Sequence, residues 1–366
     1  MLVKKNKSTL LKIELSVPNG ADIAVKQDII LDVNVSSRDK LPTDFSIKLD
    51  NIKGFVENER YHGSPTFGLN GDSFSQSFYL HLDDSIISGD SVSYTLVSSI
   101  DSEEDIVYHV KDLDLNIQDI LTVDKVFIES PMGENNPFDQ GSKYIRYTQK
   151  LRSKDGKLLK NTPMLVVPRI PNHLENFIYT TDPSHDGLPL KVLDIKALEN
   201  FKVILVSSDD SGNIYIRAYP KKNVVLIFAL DLLYANAAYQ GWSTYIIPPY
   251  PKNSDGLLPV PIIPGLVNKK LHKGDGEKFK VGISHYTGAE FDDGVVFFIS
   301  LKNDMPVSDS MVSDGIIYSN RLPHYAYDIY YDKIPIGKEI TLYYFIIKND
   351  NSHVMYSKPL VFEYVG

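Results

Sequence analysis

The sequence predicts an all-β protein made of three consecutive antiparallel β-sandwiches, and three observations carry that expectation. Strand-forming Val, Ile, Thr and Tyr dominate, with 23 Tyr against one Trp, and apolar residues alternate with polar ones over short runs. Clusters of Gly, Pro, Asn and Asp separate the runs, as tight turns require. The 366 residues are too many for one sandwich of roughly 100 residues and about right for three. The expected units are residues 1–119, 120–247 and 248–366.

In the first unit, period-2 alternation marks strands at Leu11–Leu15, Asp28–Val35, Phe45–Leu49, Ser73–Leu82 and Ser91–Val97, with Leu113–Ile117 expected to close the sandwich. The end of this unit recurs at the end of the chain. Ile87–Val97 with Ile106–Tyr108 aligns without a gap on the segment from 335 to Phe345 with Val354–Tyr356, placing Gly89 on Gly337 and Tyr108 on Tyr356. In the middle unit, Tyr144–Leu151 and Pro163–Val167 flank the Asp155-Gly156 turn and read as a hairpin. Val203–Val206 and Ile214–Ala218 flank Asp209-Asp-Ser-Gly-Asn213 and read as another. Pro168–Leu190 reads as a long insertion, and Asp194–Asn200 as a helical turn or two. Six prolines between Ile246 and Pro264 hold the chain extended as a connector or edge segment. Strands of the third unit are expected at Lys278–Ile283, Gly294–Leu301, Tyr325–Tyr331, Ile340–Ile347 and Leu360–Val365.

Composition excludes several functions. Apolar, aromatic and charged fractions of 43 %, 11 % and 23 % belong to a folded globular chain. A net charge of −9 and a pI near 5.5 argue against nonspecific binding to nucleic acid or anionic lipid. With no cysteine, disulfides, thiolate catalysis and cysteine-ligated zinc are excluded. The N-terminal lysines are not followed by the apolar core of a secretory signal, because Lys12 and Glu14 interrupt it. The longest apolar run, Val224–Leu233, contains Asp231 and is too short to span a bilayer. The chain is therefore expected to be soluble, without a transmembrane segment or recognisable signal peptide; its location stays open, with the cell surface and secretion by a nonclassical route among the options.

No motif commits the chain to catalysis. Asp209–Asn213, Asp292-Asp293-Gly294 and Asp83-Asp84 lack the further oxygen ligands of a calcium loop and read as turns, so no metal or other cofactor is expected. Thr181–Gly187 gathers Ser184, His185 and two Asp within a few positions. Triad members converge from separate segments, so this too reads as a loop. Tyr325, Tyr327 and Tyr331 share one strand face and are the candidate ring platform for a partner, weighed against burial in the core. Trp242, beside Tyr245 and Tyr250, is the fourth candidate binding residue, weighed against packing between units.

Two segments of the middle unit bring a known family into view. Tyr147-Thr-Gln-Lys-Leu-Arg-Ser-Lys-Asp-Gly-Lys-Leu-Leu-Lys-Asn-Thr-Pro163 and Ser207–Ala218 resemble strand-and-turn signatures of the tandem bacterial immunoglobulin-like domains of the invasin and intimin type. The chain departs from that pattern at Pro168–Leu190 and carries none of the family's membrane barrel, signal peptide or lectin-like module. The resemblance implies three immunoglobulin-like sandwiches in a rod, and a noncatalytic adhesin-like binding or spacer protein acting on a protein or glycan through end loops. Alternatives are a component of a toxin or secretion apparatus, and a carbohydrate-binding accessory module. An enzyme ranks third, and would show as a concave pocket with converging carboxylates.

Overall fold

A computed structural model describes residues 11–57, 62–100, 103–115, 121–185, 189–198, 201–235, 237–251, 256–291, 293–301, 311–316, 324–348 and 353–366. The fold is all-β, three immunoglobulin-like sandwiches in succession. The first contains β1 (Leu11–Leu15), β2 (Asp22–Ala24), β3 (Asp28–Ser37), β4 (Ile47–Lys53), β5 (Phe55–Glu57), β6 (Thr66–Phe67), β7 (Ser73–Leu82), β8 (Ser91–Ser98) and β9 (Glu103–Lys111). One sheet runs β1-β3-β7-β5, with β6 also on β7, and the other runs β2-β9-β8-β4. Setting aside the short β2 and β6, the first, second, fourth and fifth principal strands form one sheet and the third, sixth and seventh the other. This division defines an immunoglobulin-like sandwich.

A short β10 (Leu113–Asp114) follows, and the second sandwich repeats the plan. It contains β11 (Thr122–Val123), β12 (Phe127–Glu129), β13 (Ile145–Lys150), β14 (Arg152–Ser153), β15 (Pro163–Pro168), β16 (Phe177–Thr180), β17 (Val192–Leu193), β18 (Ile195–Leu198), β19 (Phe201–Ser207), β20 (Asn213–Pro220), β21 (Leu226–Tyr234), β22 (Ala237–Tyr239) and β23 (Ser243–Ile247). One sheet is β11-β13-β20-β16-β17. The other is seven-stranded, β12-β23-β21-β15-β19-β18 with β22 on β21. The third sandwich has β24 (Lys270–Leu271), β25 (Lys278–Ile283), β26 (Gly294–Leu301), β27 (Met311–Ile316), β28 (His324–Tyr330), β29 (Glu339–Ile347), β30 (Val354–Tyr356) and β31 (Leu360–Tyr364). Its large sheet runs β24-β31-β29-β26-β27 with β30 on β29, facing the β25-β28 pair.

Each sandwich has its own core, and two further apolar clusters join them. Along β21, Leu226, Phe228, Leu230 and Leu232 enter the middle core, while Ile227 and Leu233 face outward. That outer face of the seven-stranded sheet is covered at both ends. Toward one edge Phe127, Tyr245 and Ile247 meet Val296, Phe298, Tyr343, Phe345 and Ile347 of the third sandwich. Toward the other, Leu165, Leu198 and Val203 meet Ile30 and the flank of Tyr79 from the first. Removing side chains of this size from water contributes about 1.5–3 kcal/mol each. The strands β26 and β29 therefore bury both faces, which explains Val295-Val-Phe-Phe298 and Leu342-Tyr-Tyr-Phe-Ile-Ile347 as unbroken apolar runs rather than alternating ones. The joints are sheet-face packings, not the end-to-end loop contacts a simple rod implies. Proline-connector residues seal the second joint: Tyr250 donates to Ser357 O at 2.8 Å, Tyr356 donates to Pro248 O, and Leu258 N–H donates to Tyr356 O at 2.7 Å.

Several expected elements change partners. The two polar turns of the middle sandwich are corners between its sheets rather than hairpins, because β13 pairs with β20 while β15 pairs with β19 and β21. The corners interlock. Leu151 N–H donates to Gly212 O at 2.7 Å, Ser208 N–H to Thr162 O at 3.0 Å, and the Ser208 hydroxyl to Leu159 O at 2.7 Å. Pro168–Leu190 is no insertion over its first half, since it supplies a 3₁₀ turn (Pro171–Asn176) and β16. The added element is the β18–β19 hairpin, and Ile195–Leu198 within the expected helical turn is strand. Leu113–Asp114 does not close the first sandwich but pairs with Arg152–Ser153 of the second, while residues 116–120 lie outside the described residues.

The repeat holds at its glycines and slips beyond them. Gly89 (φ +100°) and Gly337 (φ +70°) donate to Val110 O and Tyr364 O at the same place in their sandwiches. Val92 then pairs with Tyr108, whereas Ile340, aligned with Val92, pairs with Phe362. The third sandwich splits its return strand into β30 and β31, so Tyr356 falls opposite Phe345 instead.

The corners make a test of strain against open turn geometry. Gly156 (φ +81°) has open space where a Cβ would sit, whereas at Gly212 (φ +74°) that atom would lie 2.8 Å from Leu151 O. Urea denaturation is expected to show Gly156→Ala costing about 1 kcal/mol and Gly212→Ala about 2–3 kcal/mol. Equal costs would contradict the interlocked corners.

Candidate functional site

Exposed apolar and polar side chains gather around the Gly68–Asp72 turn of the first sandwich. The strand β3 begins at Asp28, beside the joint, where Tyr234 donates to Val25 O at 2.7 Å and Asp22 N–H to Lys160 O at 3.0 Å. The joint follows the strand to Asp32, which meets Lys196 Nζ at 3.0 Å, and its last residue, Ser37, lies about 16 Å farther on at a rise of roughly 3.3 Å per residue. There the Gly68–Asp72 turn is tied down by Leu41 N–H to Gly71 O (2.8 Å) and Ser37 N–H to Asp72 O (2.9 Å). The turn presents Leu69 fully to solvent and leaves Phe67 partly exposed against the buried Phe74, ring centroids 5.3 Å apart. Beside it lies an open cleft of about 340 Å³. The ladder brings Glu14, Asn34, Ser75 and Thr66 side by side along its floor, with Ser75 donating to Asn34 Oδ1 at 2.8 Å. Hydroxyl, amide and carboxylate groups next to an exposed ring suit a polar partner with an apolar patch. Sequence reading missed this tip. Its one signal is Leu69, an apolar residue set inside the turn signal Gly68-Leu-Asn-Gly71.

The tyrosine platform is not on the surface. Tyr327 and Tyr331 are buried: Tyr327 packs on Phe297 at 5.2 Å, and Tyr331 between Phe279 and Tyr364 at 5.3 and 5.2 Å. One face of β28 is the third core, and Tyr331 opens a 3₁₀ turn that folds its ring inward. The side chain of Tyr325 lies outside the described residues. Trp242 is 51 % exposed, and Tyr245 and Tyr250 fill the joint instead. Its backbone is firmly held, since Trp242 N–H donates to Leu121 O at 2.8 Å. The preceding Gly241 is clamped between Asp231 and Arg169.

The Thr181–Gly187 loop holds a buried anion. Arg146 and Arg217 stand directly opposite each other on β13 and β20, and both reach Asp182, whose carboxylate is wholly buried. Arg217 Nε donates to Asp182 Oδ1 at 2.8 Å, and Ser184 Oγ donates to the same oxygen at 2.6 Å. Desolvation pushes this carboxyl up, but hydrogen bonds from Ser184, Arg217 and Arg146 outweigh it and hold the carboxyl below its ordinary value of 3.8. Arg217, Lys125 and Arg146 also surround the Tyr144 ring at 4.5, 5.0 and 5.8 Å. Ser184 Oγ lies 2.9 Å and Asp182 Oδ2 3.3 Å from the same nitrogen of His185, Nδ1. A catalytic relay needs its acid and its hydroxyl on opposite ring nitrogens, so this cluster pins a loop to a sheet. Residues 186–188 lie outside the described residues.

The other acidic motifs divide. Asp209 Oδ1 accepts from Ser211 and Asn213 N–H, both at 2.8 Å, and Asp83 Oδ1 accepts from Ser85 N–H at 2.8 Å, so both are turns built on aspartate. Asp293 is not a solvated turn residue, because it is fully buried against Lys348; Asp292 lies outside the described residues. Among the described residues no group of three His, Asp or Glu is placed to hold a metal, and no helix is long and apolar enough to cross a membrane.

No family model matches the chain, and no curated protein matches its sequence. Among solved structures it is similar to the D00-D0 domain of intimin, at 12 % identity and a TM-score of 0.20 over 65 % of this chain and all of that one. It is also similar to the adhesin InvE of Yersinia pseudotuberculosis, at 10 % identity and a TM-score of 0.24 over 82 % of this chain and 75 % of that one. Tandem immunoglobulin repeats of Dlar match at 8 % identity and a TM-score of 0.26, covering 65 % and 97 %. These are the kinds of tandem domain that the sequence resembles. At scores this low the likeness assigns no residue and no activity, and the fold rests on the strand order above.

Removing the Asp182 carboxylate leaves two largely buried arginines without their shared anion. Asp182→Ala is expected to lose about 3 kcal/mol in urea denaturation at neutral pH. Because the folded carboxyl titrates below its ordinary value, its contribution is full above that value and fades as pH falls through the depressed one. The difference between wild type and variant should therefore shrink on acidification. A difference that grows would contradict the pairing.

Proposed function

We propose that the chain is a noncatalytic binding and spacer protein of the adhesin-like kind, acting at a cell surface or after secretion. The units proposed are residues 1–119, 120–247 and 248–366, held in fixed relation by the shared sheet face. The observation that carries the reading is the pairing of two buried joints with one exposed turn, where Phe67 and Leu69 stand clear of the apolar contacts of the nearer joint. A spacer needs joints that do not swing, and a recognition surface needs apolar contact at a free end. A protein or glycan partner meeting the cleft beside Glu14 and Asn34 suits the mixed chemistry there. Trp242 supports a second reading, a carbohydrate-binding accessory role, since an exposed indole on a held backbone is a stacking surface for a sugar ring.

The test is glycan-array and cell-binding measurement on the full chain, with Phe67→Ser/Leu69→Ser and Trp242→Ala beside it. Wild type is expected to bind, and the tip variant to bind at least about tenfold more weakly with an unchanged melting temperature. Loss confined to Trp242→Ala would favour the carbohydrate reading. No binding by wild type, or full binding by both variants, would overturn the proposal.

A further inference from the structure

The third sandwich places an amine against a carboxyl in a setting that can join them. Asp293 immediately precedes β26 and Lys348 immediately follows β29. Since Gly294 pairs with Ile347, the two residues form the next cross-strand step. The Asp293 side chain is 0 % exposed and that of Lys348 8 %, with Lys348 Nζ 2.8 Å from Asp293 Oδ2. Nζ also donates to Gly288 O at 2.5 Å and lies 3.5 Å from Glu290 Oε2 at the solvent rim. Asp293 Oδ2 receives two more donors, the Tyr286 hydroxyl at 2.7 Å and Glu290 N–H at 3.0 Å.

These groups have the roles of an acyl-transfer site. A nucleophile held within van der Waals reach of an acyl carbon gains the advantage of proximity. The Glu290 carboxylate is placed to take a proton from the amine, and two donors already point at the oxygen that gains charge when Cγ is attacked. We propose that Lys348 and Asp293 form an intramolecular isopeptide bond, with Glu290 as the base. The Lys348 ammonium gives up a proton, its lone pair attacks Asp293 Cγ, and the C–N bond forms. Glu290 returns that proton and the nitrogen gives up a second, so that the tetrahedral centre expels one carboxyl oxygen as water. One ammonium and one carboxylate become one amide and one water, so no oxidant or activating co-reactant is needed. The amide ties the ends of the two strands that supply the third sandwich's side of the second joint.

Intact-mass spectrometry on the denatured full chain tests this. The expected mass is one water below that of the sequence, with a protease digest giving a branched peptide that joins Lys348 to Asp293. Lys348→Met and Asp293→Ala are expected to restore the full sequence mass. Because either can impair folding, Glu290→Ala at the exposed rim is the second variant, expected to fold and to show a larger uncrosslinked fraction at matched times. A wild-type mass equal to that of the sequence would overturn the bond. So would a water loss confined to a linear peptide containing Asp293-Gly294, which is succinimide chemistry. An uncrosslinked fraction unchanged in Glu290→Ala would overturn the role given to Glu290.

Discussion

The outer face of the seven-stranded sheet is apolar at both ends, and such a face cannot be left in water without inviting association. The chain covers one end with its first sandwich and the other with its third. From that constraint follow the aromatic strands β26 and β29, the packing of the proline connector, and the fixed relation of the three units. Polar pins finish each joint. Gln27 donates to Pro163 O and Lys196 Nζ lies 3.0 Å from Asp32 at the first, while Tyr245 donates to Asp314 Oδ2 at 2.6 Å at the second. Burial, with Asp314 beside it, pushes the Tyr245 phenol up, so it stays a donor throughout the physiological range.

Buried charge follows the same economy of pairing. Asp182, Asp231 and Asp293 are all nearly or wholly buried, and each has a cationic partner, Arg146 with Arg217, Arg169, and Lys348 respectively. Asp182 fixes a loop to the middle sandwich and Asp231 fixes the backbone that carries Trp242. Asp293 sits at the edge of the second joint. The polar groups are thus anchors for segments whose backbone the sheets alone do not hold.

Much of the fold was legible because alternation reports a strand with one face in a core. Ser73–Leu82 reads correctly to the residue. Partner choice was not legible, since Asp155-Gly156 and Asp209–Asn213 carry the same turn chemistry whether the chain returns beside itself or crosses to the opposite sheet. The burial of Asp293 was hidden for a related reason: its pairing with Lys348 is fixed by β26 and β29 lying together, which local sequence does not state. Tyr327 could be read either way, because period 2 places residues on a common face without saying which face is core. The joints did leave a mark, the unbroken apolar runs of β26 and β29, in which alternation disappears because both sides are covered.

The central claim is that both neighbours are docked on one sheet face, and distances between units test it most directly. The chain lacks cysteine, so single cysteines at the exposed Asp44, Ser211 and Asp332 give clean spin-label pairs from first to second and from second to third sandwich. Docked joints predict one narrow distance distribution for each pair, broadened for the second pair by Phe298→Asp. Broad distributions in the wild-type chain would contradict the shared face and leave the sandwiches as beads on a flexible string.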